Sequence, residues 1–111
     1  MANARKEAYI LQKLTHKNVL KCFDYFESAD TIVLVLQKMQ ITLLDYMNLD
    51  NKDLSEDHVQ QIFRMIVSGV EHYNSKGIIH CDLKLENILI NYDEVTMTVT
   101  DLCISDFGLY S

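Results

Sequence analysis

The run Gly77-Ile78-Ile79-His80-Cys81-Asp82-Leu83-Lys84-Leu85-Glu86-Asn87-Ile88-Leu89-Ile90 decides how the rest of the chain is read. Two apolar pieces, Ile78–Ile79 and Ile88–Ile90, bracket a polar loop carrying histidine, aspartate, lysine and asparagine. Pieces this short suit strands better than helices. The loop they bracket is the one place where several chemically capable side chains crowd together.

Immediately upstream, Glu56–Asn74 has the clearest periodicity in the sequence. Val59, Ile62, Phe63, Ile66, Val67, Val70 and Tyr73 recur at three- and four-residue intervals, which predicts a helix with one apolar stripe for core packing. Ser55 suits its N-cap, Glu56 and Asp57 suit the positive end of its dipole, and Gly77 is a stop signal. His58 and His72 read as surface or boundary positions of that helix. Further upstream, residues 3–15 predict a helix, with Ala8, Leu11 and Leu14 at helical spacing. Strands follow at about Leu20–Phe26 and Ile32–Leu36, joined through Glu27–Thr31, and Thr42–Leu49 suggests a short helix. Downstream, a strand is expected over roughly Val95–Ile104, after an extended turn near Asn91–Glu94. Helix, hairpin, helices and then short strands make an α+β fold.

Composition narrows the function. With 111 residues the chain is one domain at most. It is 49% hydrophobic and 23% charged, an ordinary globular balance, and its net charge of -6 argues against a nucleic-acid surface. No apolar run approaches the roughly 20 residues of a membrane span, and Met1–Gln12 has no signal-peptide core. Cys22, Cys81 and Cys103 lack metal-ligand or disulfide-framework spacing. They read as reduced thiols of an intracellular protein, cytoplasmic or nuclear.

His80-Cys81-Asp82-Leu83-Lys84-Leu85-Glu86-Asn87 resembles the catalytic loop of protein kinases, H-R-D-L-x-x-x-N, matching at His80, Asp82, Leu83 and Asn87. Asp106-Phe107-Gly108 resembles the family's D-F-G motif. Glu7 through Val19, with His16 and Asn18, resembles its αC helix and the turn after it. Asp-Leu-Lys is similar to the serine/threonine branch. The resemblance spans the chain and implies part of a two-lobed fold: residues 1–36 from the small lobe, 37–41 the hinge, 42–111 the start of the large lobe.

It also implies a chemistry. Phosphoryl transfer needs positioning and charge compensation more than covalent help. Asp82 would orient the substrate hydroxyl and accept its proton, with Lys84 placing a cation on the transferring phosphate. Asn87 and Asp106 offer the oxygen ligands Mg²⁺ prefers. Leu36 would be the gatekeeper of the adenine pocket and Gln37–Met39 the hinge whose backbone meets the base of ATP. Glu7 would pair with the family's phosphate-contacting lysine. His80, Phe107, Leu11 and Cys22 would form an apolar column between the lobes.

Three departures matter. Cys81 replaces the arginine that pairs with a phosphorylated activation loop. No Gly-rich loop or lysine strand stands within these residues, and Lys6, adjacent to Glu7 on one helix, cannot face it. The A-P-E motif is absent too. The implied function is therefore ATP-dependent phosphoryl transfer to protein hydroxyls, with the 111 residues inactive by themselves. The alternative is a non-catalytic module or decoy that pairs with a partner kinase.

Overall fold

The computed structural model describes residues 16–77 and 83–105, with the side chains of Tyr25 and Ile32 left aside. The helix expected over residues 3–15 and the β piece Ile78–Ile79 lie outside the described residues. Within them the order is β1 (Cys22–Glu27), β2 (Ile32–Leu36), β3 (Ile41–Thr42), α1 (Leu43–Met47), α2 (Glu56–Ser75), a 3₁₀ turn (Leu85–Asn87), β4 (Ile88–Tyr92) and β5 (Val99–Ile104). Strands β1 and β2 form one antiparallel sheet, and β3-β4-β5 form a second. The fold is α+β, as expected.

Helix α2 forms where its signals place it. Ser55 Oγ accepts the His58 N–H at 3.4 Å, satisfying one orphan donor of the first turn. At the other end Gly77 takes φ 75°, a left-handed conformation that glycine adopts without steric cost. Its stripe is wider than its contact. Ile62 and Tyr73 are buried, whereas Val59 is 46% and Phe63 64% exposed. Phe63 follows Ile62 and so sits about 100° further round the helix, off the arc that β5 covers.

His58 departs from expectation. It is 4% exposed, because its ring ties the start of α2 to β5. Nε2 accepts the Val99 N–H at 2.9 Å, which leaves Nδ1–H to donate to the Asp53 carbonyl at 2.7 Å. Tyr46, fully buried, donates its hydroxyl to the Met97 carbonyl at 2.7 Å and accepts the Asp53 N–H at 3.1 Å. The bonds to Val99 and Met97 join residues 41 and 51 positions apart, so a helical-wheel reading gave His58 no reason to be inside.

Two further differences have local causes. Strand β5 starts at Val99 and not Val95, because Asp93 Oδ1 captures the N–H groups of Val95 (2.8 Å) and Thr96 (3.1 Å). That side-chain capture competes with the ladder, and Met97 then turns the chain back at φ 62°. The turn thus lies after Tyr92, while Asn91 and Tyr92 stay paired with Asp101 and Val99. The short helix is Leu43–Met47, capped by Thr42 Oγ on the Asp45 N–H at 3.0 Å, and Ile41–Thr42 pairs with Ile90 and Leu89 of β4.

The two sheets and α2 meet at the turn before β1. Val19 and Ile104 form a parallel bridge, with Leu20 N–H on Ile104 O and Ile104 N–H on Asn18 O, both 3.0 Å. Asn18, 3% exposed, also donates Nδ2 to the Leu102 carbonyl at 2.9 Å. Gly69 of α2 makes room for this: a Cβ there would lie 2.7 Å from Asn18 O and 2.9 Å from Ile104 Cδ1. Replacing glycine by alanine inside a helix usually stabilises by about 1 kcal/mol. Here the sign reverses, because a backbone oxygen in a hydrogen-bonded bridge has to move. Gly69→Ala is expected to destabilise by about 1–3 kcal/mol in urea unfolding; a neutral or stabilising result would mean that the turn does not seat on α2.

Candidate functional site

The segment Gln37–Gln40 links β2 to β3 and contains the expected hinge. Leu36 ends β2 opposite Cys22 and is 38% exposed. Gln37 is held at both its backbone and its side chain. Its N–H donates to the Lys21 carbonyl at 2.8 Å, and its Oε1 accepts the Lys21 N–H at 3.3 Å. The same Oε1 lies 3.7 Å from Cys103 Sγ, which is also 3.5 Å from the Lys17 carbonyl. Burial, helped by the nearby Asp101 carboxylate, raises the Cys103 thiol to about 11. It therefore keeps its proton at neutral pH and can donate it. Next along, the backbone groups of Lys38 and Met39 take no hydrogen-bond partner among the described residues. A ligand edge laid along this segment would meet those groups, and not the Gln37 N–H.

The loop after α2 resumes at Leu83. Lys84 is extended and exposed at the head of the 3₁₀ turn, and the Asn87 N–H closes the turn on the Lys84 carbonyl at 2.9 Å. Ser105, the residue before Asp106, then reaches back. Its N–H (2.9 Å) and its Oγ (3.1 Å) both donate to the Asn87 carbonyl. The β4–β5 hairpin supplies the register that makes this possible, pairing Ile88 with Ile104. So Lys84, Asn87 and the residue leading into Asp106 are brought together. Asp82, Asp106 and Glu7 lie outside the described residues, as do His80, Cys81, Phe107 and Leu11. Of the proposed apolar column only Cys22 is described, and it is buried.

A separate groove of about 570 Å³ lies on the flank of α2, lined by His16, Phe63, Arg64, Val67, Ser68, Glu71 and His72. Among the described residues, none of the expected site residues borders it. His16 anchors it, with Nδ1 accepting the Asn18 N–H at 3.0 Å and Nε2 3.2 Å from Ser68 Oγ. Its ring stacks on His72 at 4.8 Å between centroids. An Nδ1 that accepts leaves the proton of the neutral ring on Nε2.

The chain matches the family model described as protein kinase domain over residues 1–111. It is 34% identical over 110 residues to NUAK family SNF1-like kinase 1 of Mus musculus and of Homo sapiens, covering 98% of this chain and 16% of each relative. A probable myosin light chain kinase of Dictyostelium discoideum is 36% identical over 105 residues, 95% of this chain and 29% of the relative. Serine/threonine-protein kinase US3 of human herpesvirus 1 is 34% identical over 102 residues, 92% of this chain and 20% of the relative. The chain belongs to the protein kinase family, and its α+β fold is a part of the kinase fold. It spans less than a third of the length of each of these relatives.

Sequence reasoning missed the anchoring of Gln37. Its partners stand 16 and 66 positions away, and no local pattern announces them. The His16–Ser68 contact was hidden likewise.

His16 gives the site's flank a pH dependence. Burial, then the neighbouring His72 and Lys17, lower its pKa below the ordinary 6.5. The unfolded chain therefore takes up a proton on His16 before the folded one does. This contribution to stability is fully present above pH 6.5 and is lost as pH falls toward the lowered folded value. Across that window His16→Asn, which keeps an acceptor for the Asn18 N–H but cannot titrate, should lose less stability than the native chain. Parallel pH slopes for the two proteins in chemical unfolding would contradict the assignment.

Proposed function

We propose that these residues are the nucleotide-handling middle of a serine/threonine protein kinase domain that transfers the terminal phosphoryl group of ATP to a protein hydroxyl. The observation that carries the reading is the pair of hydrogen bonds from Ser105 to the Asn87 carbonyl. They hold the Asn87 end of the H-x-D-x-K-x-x-N motif beside the strand end whose sequence continues into Asp106-Phe107-Gly108. Two segments remote in sequence thus share one backbone joint, as convergent ligands require.

In this reading Asp82 orients the attacking hydroxyl and takes its proton as the new O–P bond forms and ADP leaves. Lys84, exposed at the head of its turn, offsets charge on the transferring group. The side-chain oxygens of Asn87 and Asp106 are the hard donors that suit Mg²⁺, and the short tether between their segments fits a shared ion. Held by Asn87 and Asp106, such an ion would supply positive charge to offset the charge that develops on the phosphates. Leu36 borders the adenine pocket, and the backbone of Lys38 and Met39 meets the base. Gln37, whose N–H and Oε1 are engaged within the protein, offers the base its backbone carbonyl. Glu7 pairs with a lysine from outside these 111 residues. Residues 1–36 belong to the small lobe, 37–41 to the hinge and 42–111 to the large lobe.

Two further features support the reading. Phe63 and Val59 lie open on α2, and the remainder of a large lobe is the natural cover for such a face. Cys22 and Cys103 are buried free thiols, in keeping with an intracellular protein, cytoplasmic or nuclear. No described helix is long and apolar enough to cross a membrane.

The test is a graft. Residues 1–111 are placed between a glycine loop with its lysine strand and a large-lobe remainder from a related kinase. The chimera should phosphorylate a protein substrate, while the 111 residues alone show no transfer above background. Asp82→Asn should lower the chimera's rate on the order of a thousandfold. Because Cys81 cannot pair with a phosphate, phosphatase treatment should leave the rate nearly unchanged. A chimera that folds and binds Mg-ATP but transfers nothing would favour the decoy that pairs with a partner kinase.

A further inference from the structure

The far end of the hinge is fastened by a pair of side-chain amides. The Gln40 N–H lies 2.9 Å from Asn91 Oδ1 and 3.1 Å from the Ile90 carbonyl. In return Gln40 Oε1 accepts the Tyr92 N–H at 2.6 Å. Strand β3 pairs with β4 only at Ile41 and Thr42, so the Gln40 side chain continues the ladder by one more bond where the strand has ended. The β4–β5 register shifts between Asn91 and Tyr92. Such irregularities re-aim side chains near sites, and here the strand edge is offered to Gln40.

Asn91 reaches three ways. Besides Gln40 it donates Nδ2 toward Asp101 Oδ2 at 3.4 Å and toward Met39 Sδ at 3.7 Å. Thr100 Oγ1 steadies the same corner, 3.2 Å from the Asn91 carbonyl and 3.3 Å from Asp101 Oδ2. Gln37 is held at the near end of the hinge by Lys21 and Cys103, and Gln40 at the far end by Asn91. What lies between is Lys38 and Met39, whose backbone groups have no partner among the described residues.

We infer that Asn91 is a positioning residue for nucleotide binding: through Gln40 and Met39 it fixes where the backbone of Lys38–Met39 presents itself to a purine edge. This rests on the nucleotide-binding reading above. Asn91 touches no nucleotide; it removes the freedom of the segment that does. Preorganisation of this kind improves affinity by lowering the ordering cost at binding.

The experiment uses the complete natural polypeptide and Mg-ADP as the probe. Asn91→Ala should weaken Mg-ADP binding in calorimetry by roughly five- to tenfold, about the worth of one net hydrogen bond. Without nucleotide, the same change should speed amide exchange at Gln40 and Tyr92, whose N–H groups bond through this pair, and leave the amides of α2 unchanged. Combining Asn91→Asp with Asp101→Asn keeps an acceptor for Gln40 and a donor between the two strands, and should restore both readouts. If the native protein binds Mg-ADP and Asn91→Ala binds it equally well, the positioning role is wrong and the nucleotide reading stands. If affinity falls while α2 exchange rises as much as hinge exchange, Asn91 merely stabilises the fold and the inference fails. If the native protein does not bind Mg-ADP, the nucleotide reading is wrong and this role falls with it.

Discussion

The Asn18 carbonyl oxygen occupies the space that a side chain on Gly69 would fill, and most of the described structure depends on that close approach. From there the carbonyl accepts the Ile104 N–H, and the Asn18 side chain reaches the Leu102 carbonyl. One residue so placed connects the start of the β1–β2 sheet, the middle of α2 and the last strand of the second sheet. Val19, Leu102 and Ile104 are at most 2% exposed around it. The Asn18 Nδ2 and carbonyl are paired at the centre of this core, where leaving them unpaired would be costly, while Asn18 Oδ1 is buried without a partner among the described residues.

That joint positions the candidate site without belonging to it. Strand β5 leaves the joint at Ile104 and passes through Ser105, whose bonds to Asn87 set the catalytic-loop end of the site. The same strand carries Cys103, whose thiol faces Gln37 of the hinge and the Lys17 carbonyl of the turn. A displacement of β5 would therefore reach Asn87 and Gln37 together. Because burial keeps Cys103 protonated at neutral pH, this contact is that of a weak donor and not of a charge.

The sequence made the periodic and punctuated parts of the fold readable. Helix α2 was bounded by Ser55 and Gly77, and the β1–β2 hairpin and strand β4 lay close to their expected places, because each is set by neighbours in sequence. The failures came where particular contacts, near or far in sequence, override the periodic pattern. His58 is buried because Val99 and Asp53 bind its ring, and Phe63 is exposed because only one arc of α2 meets β5. Strand β5 begins late because the Asp93 carboxylate captures two backbone donors. At the site, the motif identified Lys84 and Asn87, and the structure brings them together with Ser105. The Gln37 N–H and Oε1 prove to be engaged within the protein, by partners that no local pattern announces. Gln40 and Asn91 belong to no motif, since their pairing exists only once β3 and β4 are adjacent.

Native-state amide hydrogen exchange at Leu20 and Ile104 tests the central joint most directly. These two N–H groups make the paired bonds of the Val19–Ile104 bridge. If the Asn18 turn is what joins the two sheets and α2, both amides should exchange only through global unfolding, with the same opening free energy as the buried turns of α2. Fast exchange at Leu20, with Ile104 and α2 still fully protected, would contradict this. It would mean that the β1–β2 hairpin opens independently and that Asn18 is not the connection.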